Sequence, residues 1–188
     1  MKPLFRIYSA AILAILLAVY SSFPVFDKDS KDNCKLLLPG QKGFMQLVND
    51  EEPGEPLVIY GRVVDRKTWR PVRDVSFFLY HTDAKGYYDS PGPDDQARIR
   101  GTVNTSTSGC FKIKTILPGD YPDRKNSRHI HYVINAKGYK EIKSTLFFKG
   151  FTTPNITEQG PFTVLDIKKD STGAWTGETI FFMEVENK

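Results

Sequence analysis

The sequence predicts an all-β protein, a β-sandwich of short and mostly antiparallel strands preceded by an N-terminal signal or anchor segment. Three observations predict this class. Runs rich in β-branched and aromatic residues recur at even spacing, and turns containing Gly and Pro separate them. After the N-terminal segment, no stretch of useful length has the periodicity of a helix.

The chain begins with a short basic segment, residues 1–6, and continues with an uncharged apolar run over residues 7–20. This order is typical of a secretory signal. The run is shorter than the roughly 20 apolar residues that span a bilayer. We therefore expect residues 1–23 to be a signal peptide, with an uncleaved anchor as the alternative. Either way the protein is predicted to be exported, to a periplasmic, extracellular or membrane-anchored location, and only such an anchor would bring it into contact with a membrane.

Residues 24–54 are polar and rich in turn-forming residues, which indicates a linker or an arm that lies on the domain. This segment contains Cys34, and the second cysteine of the chain is Cys110. In an oxidising compartment the two cysteines would form a bridge from the arm to the domain. Their spacing alone leaves two unpaired thiols open as the alternative.

Residues 55–188 are predicted to form the sandwich domain. The predicted strands cover residues 57–65, 75–81, 109–114, 129–135, 144–149, 162–168 and 179–185, with a closing turn at 169–173. Residues 82–100 make a loop that is too long for a plain connection and that offers tyrosines and carboxylates, so it is expected to be functional. His81, which ends the second predicted strand, is expected to be structural or to support the residues of the site.

The charge of the chain argues against nucleic acid as a partner. The formal net charge is +4, and Lys2 and Arg6 supply two of these charges, so the rest of the chain has a net charge of +4 − 2 = +2. This charge is too small to indicate binding to nucleic acid. No basic block with interleaved aromatic residues follows.

His129 and His131 are separated by one residue, so an extended backbone would project both imidazoles to the same side of a strand. Two imidazoles on one face suit a metal ion. The alternative, from these two residues alone, is a surface strand with two hydrogen-bonded histidines. Tyr121 precedes them in a turn that contains Pro118 and Gly119.

Five motifs occur in an order that resembles the intradiol ring-cleavage dioxygenases, the family of protocatechuate 3,4-dioxygenase and catechol 1,2-dioxygenase. They are Asp-Ala-Lys-Gly-Tyr-Tyr at 83–88, Ile-Arg-Gly-Thr at 99–102, Thr-Ile-Leu-Pro-Gly-Asp-Tyr-Pro at 115–122, His-Ile-His at 129–131 and Leu-Phe-Phe at 146–148. The resemblance covers about residues 57–150. A transthyretin-like or carboxypeptidase-regulatory-like sandwich also fits residues 58–75, but it offers no reason for the later motifs.

The resemblance implies a non-haem Fe(III) ion as cofactor, held by Tyr88, Tyr121, His129 and His131. Tyr87 is the alternate to Tyr88 if the loop shifts by one residue. Phenolate and imidazole donors favour the ferric state. The resemblance further implies a catecholic substrate and O2: the catechol would bind through both oxygens, and the ring would open between them to a cis,cis-muconate. Tyr121 would leave the iron when substrate binds and take up a substrate proton.

Two positions depart from the family pattern. The family carries an arginine three residues before the first histidine, where this chain has Asn126, so we expect Arg124 or Arg128 to deliver the guanidinium, with Arg124 favoured. Where the family has a glutamine, this chain has Thr145. The predicted catalytic residues are therefore Tyr121, Arg124 and Arg128.

The sequence predicts an exported oxidoreductase of aromatic compound catabolism. The alternative is a non-catalytic β-sandwich of the same ancestry that acts as a binding or surface module. The particular catechol stays open, and so does the oligomeric state, which includes a homo-oligomer.

Overall fold

The computed structural model describes residues 34–89, 96–152 and 162–186. This part of the chain contains ten β-strands. They are β1 (Phe44–Gln46), β2 (Pro56–Asp65), β3 (Ser76–His81), β4 (Ile99–Asn104), β5 (Cys110–Ile116), β6 (Ser127–Asn135), β7 (Ile142–Thr152), β8 (Phe162–Leu165), β9 (Ile167–Lys169) and β10 (Trp175–Met183).

The strands form two five-stranded sheets. Sheet 1 has the order β1-β5-β2-β10-β9, and sheet 2 has the order β4-β3-β6-β7-β8. Three neighbouring pairs are parallel, namely β1 with β5, β2 with β10 and β7 with β8. The other neighbours are antiparallel. The prediction of an all-β fold is confirmed, and its sheets are mixed.

A core of aliphatic and aromatic side chains fills the space between the sheets. Phe77 on β3 is its centre, with its ring centroid 5.1 Å from that of Phe111 and 5.3 Å from that of Phe181, both on sheet 1. These edge-on contacts between aromatic rings are favourable in addition to the area that they bury. Strand alternation then directs the residues between the core positions of β6 to the outer face of sheet 2.

The strands at the edges differ most from the prediction. No strand was predicted at β1, which is three residues long and too short for a periodic pattern, or at β4, which contains Gly101. The predicted strand 162–168 is two strands, because the chain leaves sheet 2 after Leu165 and joins sheet 1 at Ile167.

The predicted signal segment, residues 1–23, lies outside the described residues. Within the described ranges, no helix is long and apolar enough to cross a membrane.

Cys34 and Cys110 form a disulfide, with their Cα atoms 5.0 Å apart. Both are buried, and the guanidinium of Arg62 lies 3.5 Å from the sulfur of Cys110. Lys112 adds to this junction by donating hydrogen bonds from Nζ to the carbonyl oxygens of Lys35 and Leu37. The bridge therefore attaches the residues before β1 to the second strand of sheet 1.

Replacing both cysteines with serine is expected to lower the free energy of unfolding by about 4 kcal/mol, because the bridge restricts a long loop of the unfolded chain. The loop is long because the two cysteines are 76 residues apart in sequence. Urea denaturation of the wild type and of C34S/C110S, without reductant, measures the difference. Reductant should bring the wild type to the stability of the variant, and equal stability before reduction would contradict the prediction.

Candidate metal centre

The side chains of Tyr88, Tyr121, His129 and His131 bring four donor atoms into one continuous cluster. Tyr88 Oη lies 2.8 Å from Tyr121 Oη, which lies 3.1 Å from His129 Nε2. His129 Nε2 lies in turn 2.9 Å from His131 Nε2. The motifs that supply these atoms are separated by up to about forty residues along the chain, so the atoms are close together only in the folded protein.

The two histidines project together because β6 alternates regularly between its two faces. Ile130 and Tyr132 are buried in the core, and His129 and His131 between them are half-buried on the other face. Their rings meet edge to face, with centroids 4.5 Å apart. The predicted geometry of the His-Ile-His stretch is thus observed.

Tyr121 is positioned by the turn that precedes β6, and Ser127, the first residue of β6, makes the main contacts with this turn. The Ser127 hydroxyl accepts a hydrogen bond from the backbone N–H of Tyr121 at 2.8 Å and donates one to the carbonyl oxygen of Arg124 at 2.7 Å. Its own N–H donates to Asp120 Oδ1 at 2.7 Å. Ser127 is 2% exposed, so water does not compete for these bonds.

Tyr88 is positioned by two glycines at which the loop after β3 meets the turn before β6. A Cβ atom on Gly86 would lie 1.8 Å from the carbonyl oxygen of Asp120, and one on Gly119 would lie 2.5 Å from the carbonyl oxygen of Ala84. Gly86 also has φ of +90°, which side chains disfavour. The Gly119 N–H completes the contact by donating to the carbonyl of Asp83 at 2.8 Å. Only glycine lets these two backbones approach so closely.

Each imidazole uses Nδ1 for a second contact and turns Nε2 towards the cluster. His129 Nδ1 donates to the carbonyl oxygen of Ser127, which fixes its proton on Nδ1 and its lone pair on Nε2. His131 Nδ1 lies 3.2 Å from Thr145 Oγ1. Burial, together with the charges of His129 and Lys143, lowers the pKa of His131 to about 4, so this ring is neutral near neutral pH.

The donor set fits a metal ion. Donors about 2.1 Å from a metal and at right angles to one another are about 3.0 Å apart, which is close to the separations in this cluster. A histidine that donates Nδ1–H to a carbonyl or hydroxyl is also the usual form of a metal ligand. In the described part of the chain, no group of three or more His, Cys, Asp or Glu residues gathers as a metal site. The candidate centre combines two of these residues with two tyrosines.

Aromatic rings flank the cluster on the outer face of sheet 2. Tyr80 stacks on His131 with centroids 4.8 Å apart and planes inclined by 26°. Phe147 lies against His129 with a centroid distance of 5.7 Å, and the ring of Phe162 follows at 5.9 Å from that of Phe147. An aromatic wall of this kind suits a planar apolar ligand.

The two predicted arginines differ in their surroundings. Arg128 lies 3.7 Å from Asp120 Oδ2, and its guanidinium lies over the ring of Phe151 at 5.0 Å. Arg124 is exposed, and its backbone joins the turn. Asn126 has φ of +54°, a left-handed conformation that asparagine tolerates better than arginine, which gives a local reason for the departure from the family pattern. The catalytic roles of Arg124 and Arg128 stay predictions.

The alternate ligand Tyr87 is 51% exposed, whereas Tyr88 is half-buried with its hydroxyl in the cluster. The geometry therefore favours Tyr88 over Tyr87.

His81 is structural. It is 1% exposed, and its Nδ1 donates to the carbonyl oxygen of Thr82 while Nε2 accepts from the hydroxyl of Thr115, both at 2.7 Å. Burial lowers the pKa of His81 to about 4.

No role was predicted from the sequence for Ser127, Tyr80 or the hydroxyl of Thr145. For Tyr80 a signal existed, because the continuous apolar run of β3 indicates a strand covered on both faces. For Ser127 and Thr145 no pattern in one sequence distinguishes them from other small polar residues, since their contacts depend on the turn and on the register of β6 with β7.

Comparison with known proteins agrees with the fold. A family model described as dioxygenase matches residues 34–159, well over half of the chain. The chain belongs to the intradiol ring-cleavage dioxygenase family.

Among solved structures, the dioxygenase domain of a dioxygenase and carbohydrate-binding protein fusion from Streptomyces sp. SirexAA-E is 29% identical with a TM-score of 0.64, and the match covers 80% of this chain and 93% of that one. An intradiol ring-cleavage dioxygenase from Tetranychus urticae shares the fold at 20% identity and a TM-score of 0.58, over 81% of this chain and 92% of that one.

Among curated proteins, catechol 1,2-dioxygenase of Acinetobacter baylyi is 24% identical over 132 residues, which are 60% of this chain and 42% of that protein. The 6-chlorohydroxyquinol 1,2-dioxygenase of Cupriavidus pinatubonensis is 30% identical over 114 residues, 52% of this chain and 41% of that protein. The chain thus spans about two fifths of the length of these relatives.

Replacing Gly86 with alanine is expected to destabilise the protein more than the same change at Gly138. Both glycines have positive φ, but a Cβ at Gly138 would meet nothing within 4 Å. We expect G138A to lower the free energy of unfolding by about 1 kcal/mol for the left-handed backbone, and G86A by about 3 kcal/mol because a clash is added. Urea denaturation of both variants measures this. Equal losses would contradict the close approach.

The stability of the protein is expected to fall between pH 7 and pH 5, in part because of His81. Its folded pKa of about 4 is below the ordinary value of 6.5, so the unfolded chain binds a proton that the folded protein excludes. Stability is lost as pH drops below 6.5, and at pH 5 the loss in the free energy of unfolding that is due to His81 is about 2 kcal/mol. The free energies of unfolding of the wild type and of H81Q, each measured at pH 7 and pH 5, isolate the loss that is due to His81, since the other titrating groups are the same in the two proteins. An identical pH slope in H81Q would refute the assignment.

Proposed function

We propose that the protein is a non-haem Fe(III) dioxygenase that cleaves a catechol-type ring between its two hydroxyls with O2, giving a cis,cis-muconate-type product. The observation that carries this proposal is the convergence of two phenol oxygens and two imidazole Nε2 atoms at separations of 2.8–3.1 Å. Relatives named catechol and chlorocatechol 1,2-dioxygenases support the reaction class.

Tyr88, Tyr121, His129 and His131 would hold the ferric ion. The ion would supply a Lewis acid that binds the catechol oxygens and draws electron density from the ring. The two imidazoles are held by the contacts of their Nδ1 atoms with Ser127 and Thr145. Tyr88 is held by the close packing of its loop against the turn before β6. These three residues therefore stay in place while the substrate binds.

Tyr121 is the residue that takes up a substrate proton. Its hydroxyl lies 2.8 Å from Tyr88 Oη. A phenolate oxygen keeps a lone pair when it binds a metal, so the oxygen of Tyr88 could accept a hydrogen bond from a protonated Tyr121, whereas Nε2 of His129 would be occupied by the ion. Phe147 and Tyr80 offer ring faces beside the histidines, against which an aromatic substrate can pack.

We also propose that the protein is exported. The disulfide between Cys34 and Cys110 supports this, because such bridges persist in oxidising compartments.

Two observations favour a second candidate, a non-catalytic module of the same ancestry. The contacts of Arg128 are with Asp120 and Phe151, and Asn126 occupies the position of the family arginine. Losing one such electrostatic donor lowers a rate by about 10²–10³-fold. Oxygen uptake by the iron-loaded protein with catechol, protocatechuate or hydroxyquinol separates the two candidates, and iron binding without uptake supports the module.

The iron-loaded wild type is expected to be burgundy-red, because tyrosinate-to-Fe(III) charge transfer absorbs visible light. Y121F and H131A should lose most of this absorption, and Y88F should weaken or shift it. Y87F is the matched control, since it removes an exposed hydroxyl one residue from Tyr88. Visible spectra and iron content measure the effect. A colourless wild type after ferric loading, or bleaching by Y87F but not by Y88F, would overturn the ligand assignment.

A further inference from the structure

His131 is held between its two neighbours in the same row of sheet 2. In the strand register, Tyr80 on β3 pairs with His131 on β6, and His131 pairs with Thr145 on β7. The ring of Tyr80 stacks on the imidazole at 4.8 Å, and Thr145 Oγ1 lies 3.2 Å from Nδ1. The stack restrains the plane of the ring, and the hydroxyl restrains its rotation within that plane.

The two histidines differ in what their Nδ1 partners permit. The carbonyl oxygen of Ser127 only accepts, so His129 carries its proton on Nδ1. A threonine hydroxyl both accepts and donates, so it is compatible with either tautomer of His131. Metal ligation by Nε2 requires the tautomer in which Nδ1–H donates to Thr145.

We propose that Thr145 is a positioning residue for the ferric ion. Its hydroxyl accepts the Nδ1 proton of His131 and so leaves the Nε2 lone pair directed at the cluster. The proposal rests on the proposed function, because it assigns a role towards the same iron.

The position of Thr145 suits this role. Both Thr145 and His131 are half-buried, which limits the access of water that would otherwise replace the hydroxyl. Phe162, its register partner on β8, belongs to the aromatic wall on this face. The shorter threonine thus gives His131 a partner at a position where the family pattern has a glutamine.

The test compares T145V, which keeps the shape of the side chain and removes its hydroxyl, with T145S, which keeps the hydroxyl. T102V is the matched control, because Thr102 is an exposed threonine on β4 of the same sheet. The ferric dissociation constant, measured by competition with a chelator, is expected to rise about 10–100-fold in T145V. The charge-transfer band of T145V should also shift, while T145S and T102V should keep the affinity and the band of the wild type.

The thermal midpoint of each metal-free protein separates this role from a structural one, since a positioning residue changes affinity and spectrum without a matching loss of folding. If T145V does not fold, T145A carries the same comparison. Wild-type affinity and spectrum in T145V would overturn the inference alone, as would a T145S variant as impaired as T145V. A wild type that binds no ferric ion would overturn both the inference and the proposed function.

Discussion

The candidate centre depends on the contact between two backbone segments, the loop after β3 and the turn before β6. Gly86 and Gly119 allow these segments to lie against each other at distances that any Cβ would prevent. One segment carries Tyr88 and the other Tyr121, so the contact fixes the separation of the two phenol oxygens. Backbone packing is stiffer than a contact between long side chains, and a donor set held in this way loses little entropy when a ligand binds.

The sandwich provides the rigid part of the same site. β6 places Ile130 and Tyr132 in the core and thereby holds His129 and His131 on the outer face. A shift of β6 by one residue would bury the histidines and expose the isoleucine, which the hydrophobic core strongly disfavours. Core packing therefore decides the face on which half of the donor set lies, and the Nδ1 contacts then orient the two rings.

The sequence predicts some of these features well and others hardly at all. The all-β class follows from local patterns that survive in the fold, and the alternation of β6 correctly placed both histidines on one face. β1 and β4 were missed because one is three residues long and the other contains Gly101, so their strands are defined by pairing with distant segments. Tyr88 and Tyr121 could be matched by motif, but their approach depends on a contact between loops that no periodicity encodes.

The two departures from the family pattern affect different parts of the chemistry. Thr145 lies beside Nδ1 of His131, where a hydroxyl still provides a hydrogen-bond partner, so this departure is compatible with the proposed metal site. Asn126 occupies a left-handed position in an exposed turn, and the neighbouring Arg128 packs on Phe151 and Asp120. A missing guanidinium would leave the donor set intact and weaken only the stabilisation of charge that develops during ring cleavage. If the proposed function holds, turnover would therefore depend on whether Arg124 or Arg128 reaches the substrate, while iron binding would depend on the four donors.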